Sequence, residues 1–147
     1  MSTPQPQRLR LLHLFILGIL SFALLFHPSR ADIGTASLYN PPYSPTACFG
    51  GDRSQFPASN LFAAAGEKVW DNGAACGRQY LLKCINSAVA GACVQGQPQI
   101  QVIVVDRALT SVSKPSRAGT NLVLSNTAYA AVANPSAPFI NIDFIQV

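Results

Sequence analysis

The sequence predicts a compact, disulfide-bonded β-barrel behind a cleavable N-terminal leader. Three observations carry that expectation. Short stretches of strand character recur between Gly- and Pro-rich turns from residue 33 onward. All four cysteines, Cys48, Cys76, Cys84 and Cys93, fall in that same region. The apolar segment preceding it is flanked as a secretory signal is flanked.

Arg8 and Arg10 open the leader, followed by an apolar run from Leu11 to Phe26 broken only by His13, Gly18 and Ser21. Ser29-Arg30-Ala31 then supplies small residues at the −3 and −1 positions of a cleavage site. Cleavage is expected after Ala31, leaving a signal peptide over residues 1–31 and one domain over residues 32–147. The alternative, a membrane anchor, needs roughly 20 apolar residues. The run falls short of that, so the mature form is expected to have no membrane span.

Removing the leader leaves 116 of the 147 residues, enough for one core. Arg8, Arg10 and Arg30 leave with it, and the formal charge falls from +4 to +1. The apparent basicity is therefore mostly a targeting signal and gives no basis for nucleic-acid binding, which needs a clustered basic face. His13 and His27 leave as well. A histidine-free domain cannot build a Ser-His-Asp triad, a Cys-His dyad or a His-ligated metal site. No metal and no cofactor are expected.

Ile33 to Tyr39 alternates as a strand, with Thr35, Ser37 and Tyr39 on one face. Asn40 to Pro45 holds three prolines and reads as a fixed, extended loop, and residues 49–58 as a mobile one. Asn60 to Ala65 is expected to form one or two helical turns. Trp70 to Gly77 contains the only tryptophan, the turn signal Asn72-Gly73 and Cys76, so it must turn tightly and pack closely. Gly77 to Cys84 is the second strand. Gln99 to Asp106 is the third, and its nearly continuous apolar run fits burial on both faces. Arg107 to Thr120 is a polar loop, and Asn121 to Leu124 a short strand. Ser125 is placed to N-cap a small helix that Asn134-Pro135 stops. Ile140 to Val147 closes the chain with apolar-polar alternation.

Four cysteines allow three connectivities. Cys84–Cys93 is favoured because the short Gly-containing stretch between them looks like a loop joining two strands, and Cys48–Cys76 follows as the remainder. The alternative, a four-thiolate zinc site, lacks paired C-x-x-C spacing.

The stretches Gly34 to Tyr39, Ala47 to Gly50 and Trp70 to Arg78 resemble the plant natriuretic peptide-like proteins, small relatives of the expansins and family-45 endoglucanases. Val104-Val105-Asp106, Leu122 to Ser125, Ala128-Tyr129 and Ala133 to Pro135 follow in the same order, so the resemblance spans residues 33–147. It implies a six-stranded double-psi β-barrel with two short helices, an expansin- or barwin-like fold, in the plant apoplast.

Family-45 endoglucanases invert with two carboxylates. The resemblance puts the base near Tyr39-Asn40 and the acid at Val123, and neither position holds a carboxylate. No catalytic residue is therefore expected, and the implied protein is not an enzyme. Asp106-Arg107 also resembles the Asp-Arg pair of bacterial rare-lipoprotein-A-type lytic transglycosylases, but their accompanying histidine is absent. Asp106 is either a strand-end carboxylate capping amides or pairing with Arg107, or a polar anchor on a groove floor. Thr35, Ser37, Tyr39, Tyr43 and Trp70 complete the candidate ligand contacts, each with barrel packing as its alternative role. Arg78 and Lys83 read as solvated charges. The Arg107–Thr120 loop lacks a cysteine pair that many relatives carry there. It is expected to be mobile and mildly basic, a solvated loop with contact to acidic pectin as its alternative role.

Two functions from different classes follow. The resemblance implies an extracellular signal in water and ion homeostasis, acting through a cell-surface receptor. The alternative is a monomeric cell-wall module that binds polysaccharide through the barrel groove.

Overall fold

The computed structural model describes residues 6–23, 30–110, 112–115 and 117–147. His27 and Ser29 of the expected leader, and Ser111 and Ser116 of the polar loop, lie outside the described residues. The chain divides into two units, Met1–Arg30 and Ala31–Val147. The first contains helix α1, Pro6–Ala23, with exposed apolar side chains such as Leu12, Phe15 and Ile19. No helix among the described residues is long and apolar enough to cross a membrane.

The second unit is a closed six-stranded barrel. Its strands are β1 (Asp32–Tyr39), β2 (Phe62–Ala65), β3 (Gln79–Asn86), β4 (Ile100–Arg107), β5 (Leu122–Ser125) and β6 (Phe139–Gln146). Around the barrel they run β1-β5-β2-β4-β3-β6. Two pairs are parallel, β1 with β5 and β2 with β4, and the other four are antiparallel. Helix α2 (Glu67–Trp70) runs into a 3₁₀ turn over Asp71–Gly73, and helix α3 (Asn126–Val132) follows β5.

The expected helical turns over Asn60–Ala65 are instead strand β2. Alanine favours helix in isolation, but tertiary packing overrides that preference here. Phe62, Ala63, Ala64 and Ala65 are all fully buried between β4 and β5. A strand buried on both faces reads as a continuous apolar run rather than an alternating one. The helix begins two residues later at Glu67, where Val69 and Trp70 N–H groups donate to the Gly66 carbonyl at 2.9 Å. The second expected helix is α3. Ser125 caps it, its Oγ accepting from Ala128 N at 3.1 Å and donating to the Asn60 carbonyl at 2.6 Å.

Alternation sorts the buried side chains into two clusters. Ala36, Ala63, Ala65, Leu82, Val102, Val104, Leu122, Leu124, Ile140 and Ile142 fill the barrel, joined by Tyr129 and Val132 of α3. Tyr39, Tyr43, Phe62, Ala64, Val105, Ala108 and Val123 form a second cluster. Strand β4 serves both because its register with β2 shifts, from Ala63↔Val104 to Ala64↔Asp106. Val105 is the extra residue of a β-bulge, which is why the run in β4 is apolar without alternation. Disulfides join Cys48 to Cys76 and Cys84 to Cys93, each with Cα atoms 5.5 Å apart.

Candidate functional site

Strand register places Ser37 of β1 beside Val123 of β5, Val123 beside Ala64 of β2, and Ala64 beside Asp106 of β4. Residues in register share a face, so these four make one row across four strands. Ser37, Val123, Ala64 and Asp106 are all fully buried. The aromatic cluster packs on the same side of the sheet. Tyr43 meets Tyr39 and Phe62 edge-on, with ring centroids 4.9 and 4.8 Å apart. Phe49 and Phe56, from the loop expected to be mobile, pack against it. The Tyr43 hydroxyl donates to Asn126 Oδ1 at 2.8 Å and accepts from Asn126 N at 3.1 Å, pinning the Pro-rich loop to the start of α3.

Asp106 accepts three hydrogen bonds. Its Oδ1 takes the N–H groups of Ala47 (2.7 Å) and Arg107 (2.8 Å), and its Oδ2 takes the Thr110 hydroxyl (3.0 Å). Thr110 in turn lies 2.6 Å from Ser113 Oγ, which donates to the Arg107 carbonyl. The carboxylate thus fastens the end of β4 to the loops on either side. Two hydroxyls in this region are less well provided for: Ser37 Oγ and Tyr39 Oη are buried without a hydrogen-bond partner among the described residues. Burial pushes the Tyr39 phenol well above its ordinary range, and Asp106 and Tyr43 push it the same way.

The Arg107 guanidinium turns away from Asp106. It pairs with Glu67 at 2.8 Å and lies 5.7 Å from the centroid of the Trp70 ring. Trp70 and Thr35 are half-buried, unlike Ser37, Tyr39, Tyr43 and Asp106. Close to α2 a cleft of about 550 Å³ opens, lined by Asp32, Glu67, Lys68, Asp71, Arg78, Asn121 and the rings of Tyr80 and Phe144. The tight turn after Trp70 builds one wall. Asp71, Asn72 and Gly73 all have positive φ, at 52°, 51° and 93°, a region side chains seldom adopt. The turn brings Asp71 to 2.6 Å from Arg78. Lys83, the other charge expected to be solvated, sits 4.0 Å from Asp143.

The sequence reading missed Asn121, Asn126, Glu67 and Thr110. Asn126 and Thr110 matter through partners far along the chain or in an irregular loop, where no periodic signal exists. Asn121 was visible only as the first residue of a short strand.

No family model matches the chain. An EG45-like domain containing protein of Citrus jambhiri is 31% identical over 137 residues, covering 89% of this chain and 93% of that one. The chain belongs to the EG45-like domain containing proteins. Among solved structures, this EG45-like chain superposes on a mutant Clavibacter michiganensis expansin in complex with cellohexaose, with a TM-score of 0.58 and 20% identity. The match covers 80% of the EG45-like chain, which spans half of that expansin. A mutant family-45 endoglucanase in complex with cellobiose matches with a TM-score of 0.53 and 15% identity, over 80% of this chain and 81% of that one. At these identities the two structures establish the shared fold. The fold relatives are split between an expansin and an endoglucanase.

Proposed function

We propose that this EG45-like protein is a secreted, non-hydrolytic cell-wall protein that binds polysaccharide through its barrel. The observation that carries the reading is Val123 at the centre of the row from Ser37 to Asp106. Inverting hydrolysis needs two carboxylates about 6.5–9.5 Å apart with a water between them. The row offers one, Asp106, whose two oxygens are engaged by three donors. That engagement also argues against Asp106 as the lone acid/base of a lytic reaction. The carbohydrate partner is supported by fold relatives crystallised with cellohexaose and cellobiose. We read the barrel as the double-psi type, on the resemblance and on its parallel pairs β1–β5 and β2–β4. Nothing in the structure or the matched relatives favours the receptor-signalling reading.

The test is expression of the full chain in a plant secretory host. The product recovered from the medium is expected to begin at Asp32, to sediment with insoluble cellulose, and to release no reducing sugar. Sugar release by the native protein, lost in Asp106→Asn, would overturn the non-hydrolytic reading. Failure to sediment would overturn the binding reading.

A further inference from the structure

We infer that the cleft beneath α2 holds a neutral oligosaccharide, and that this cleft rather than the buried row is where the protein touches the wall. The inference rests on the polysaccharide-binding reading and assigns it a place. The cleft shares no lining residue with the row from Ser37 to Asp106. Its volume, about 550 Å³, lies within the range of small-molecule sites.

The lining matches the two demands of a sugar. A pyranose presents apolar C–H patches and a rim of hydroxyls that both donate and accept. Tyr80 and Phe144, on neighbouring strands with ring centroids 5.9 Å apart and only 6% exposed, belong to the core and back the cleft rather than offering it a ring face. Ile33 is 70% exposed at its edge, an apolar surface left uncovered. Around them are groups that present oxygens and N–H forks together. The Asp71–Arg78 pair offers a carboxylate and a guanidinium side by side.

Asn121 is pre-oriented. Its Oδ1 accepts from Thr35 N at 2.9 Å, which fixes the amide and leaves Nδ2 as a donor. The sequence makes room for that arrangement with Gly34. A Cβ there would lie 2.5 Å from Asn121 Oδ1 and 2.8 Å from the Phe144 ring, so any side chain would displace a wall and the base of the cleft.

Charge selects the class of sugar. Glu67 is paired with Arg107 and Asp71 with Arg78. Asp32 and Lys68 remain, one of each sign, and cleavage after Ala31 adds the α-ammonium of Asp32 beside its own carboxylate. The balance is a single positive charge, far from the clustered basic face a polyanion needs, which favours neutral glucan over acidic pectin.

The experiment titrates the secreted full-chain product with cellohexaose and with polygalacturonate by calorimetry. The Asp71→Ala/Arg78→Ala double variant is titrated beside it, with Lys83→Ala as control. An exposed ion pair contributes little to stability, so the double variant is expected to fold. It should bind cellohexaose about tenfold more weakly, the equivalent of about 1.4 kcal/mol, while Lys83→Ala binds as the native protein does. Binding should be insensitive to salt and should shift the Asn121 side-chain amide in the NMR spectrum of the native protein. Cellohexaose binding with the double variant unchanged and the Asn121 amide unmoved would overturn the cleft but leave the binding reading standing. Preference for polygalacturonate would overturn the neutral class. No binding to either sugar or to cellulose would overturn both.

Discussion

Replacing Asp106 decides between an anchor and a reactive group. Asp106→Ala strips the acceptor from two backbone N–H groups, those of Ala47 and Arg107, and from the Thr110 hydroxyl. Hydrogen bonds to a charged group contribute about 1.5–3 kcal/mol each and are not additive. Because Asp106 is fully buried, water cannot simply replace it. The loss expected for Asp106→Ala is therefore about 3–6 kcal/mol, a large part of the roughly 5–15 kcal/mol that stabilises a domain. Asp106→Asn keeps a carbonyl oxygen for the two N–H groups and disturbs mainly the Thr110 contact, so about 1–3 kcal/mol is expected. Urea unfolding of the native and variant proteins, followed by fluorescence of Trp70, measures both. If Asp106→Ala unfolds within about 1 kcal/mol of the native protein, the anchoring account fails and the carboxylate must have been kept for something else.

Three other outcomes follow from the same structure. Burial pushes the Tyr129 phenol up to about 12, from an ordinary value near 10. The unfolded chain therefore ionises first as pH rises. This stabilisation is complete below about pH 10 and disappears through about pH 12, a loss of roughly 2–3 kcal/mol. Unfolding measured across that window should show the loss, and Tyr129→Phe should reduce it. Ser125→Ala removes both the cap on Ala128 N and the bond to the Asn60 carbonyl. About 1–2 kcal/mol should be lost in thermal unfolding, and an unchanged melting curve would contradict the cap. Cys48→Ala/Cys76→Ala releases a loop with a sequence separation of 28. The chain-entropy model gives about 3.6 kcal/mol for such a loop, measurable by denaturant unfolding.

Five of the six strands were legible from alternation, apolar runs and turn residues, with ends displaced by one or two positions. The sixth was not. Ala63-Ala64-Ala65 carries no strand signal of its own, because alanine is chosen there for size, and size is set by β4 and β5 on either side. The bulge at Val105 was equally hidden, since an inserted residue looks like one more apolar position in a buried strand. For the site, alternation correctly grouped Thr35, Ser37 and Tyr39 on one face but could not say what lies over that face. The answer came from Tyr43, Phe49 and Phe56, loop residues whose packing depends on contacts distant in sequence. The cleft was invisible for a related reason: Asp32, Asn121 and Phe144 meet only after the barrel closes.

That closure has a consequence for a protein proposed to work among wall polymers. An open sheet exposes a row of unpaired N–H and C=O groups at each margin, which another chain can extend into an aggregate. Here each of the six strands has a neighbour on both sides. The margins are used up internally, and the short β2 and β5 pair with each other between the longer β1 and β4 instead of lying at a rim. For a secreted chain, mistaken pairings of this kind are a standing hazard. A fold without strand edges has removed the commonest way of making them.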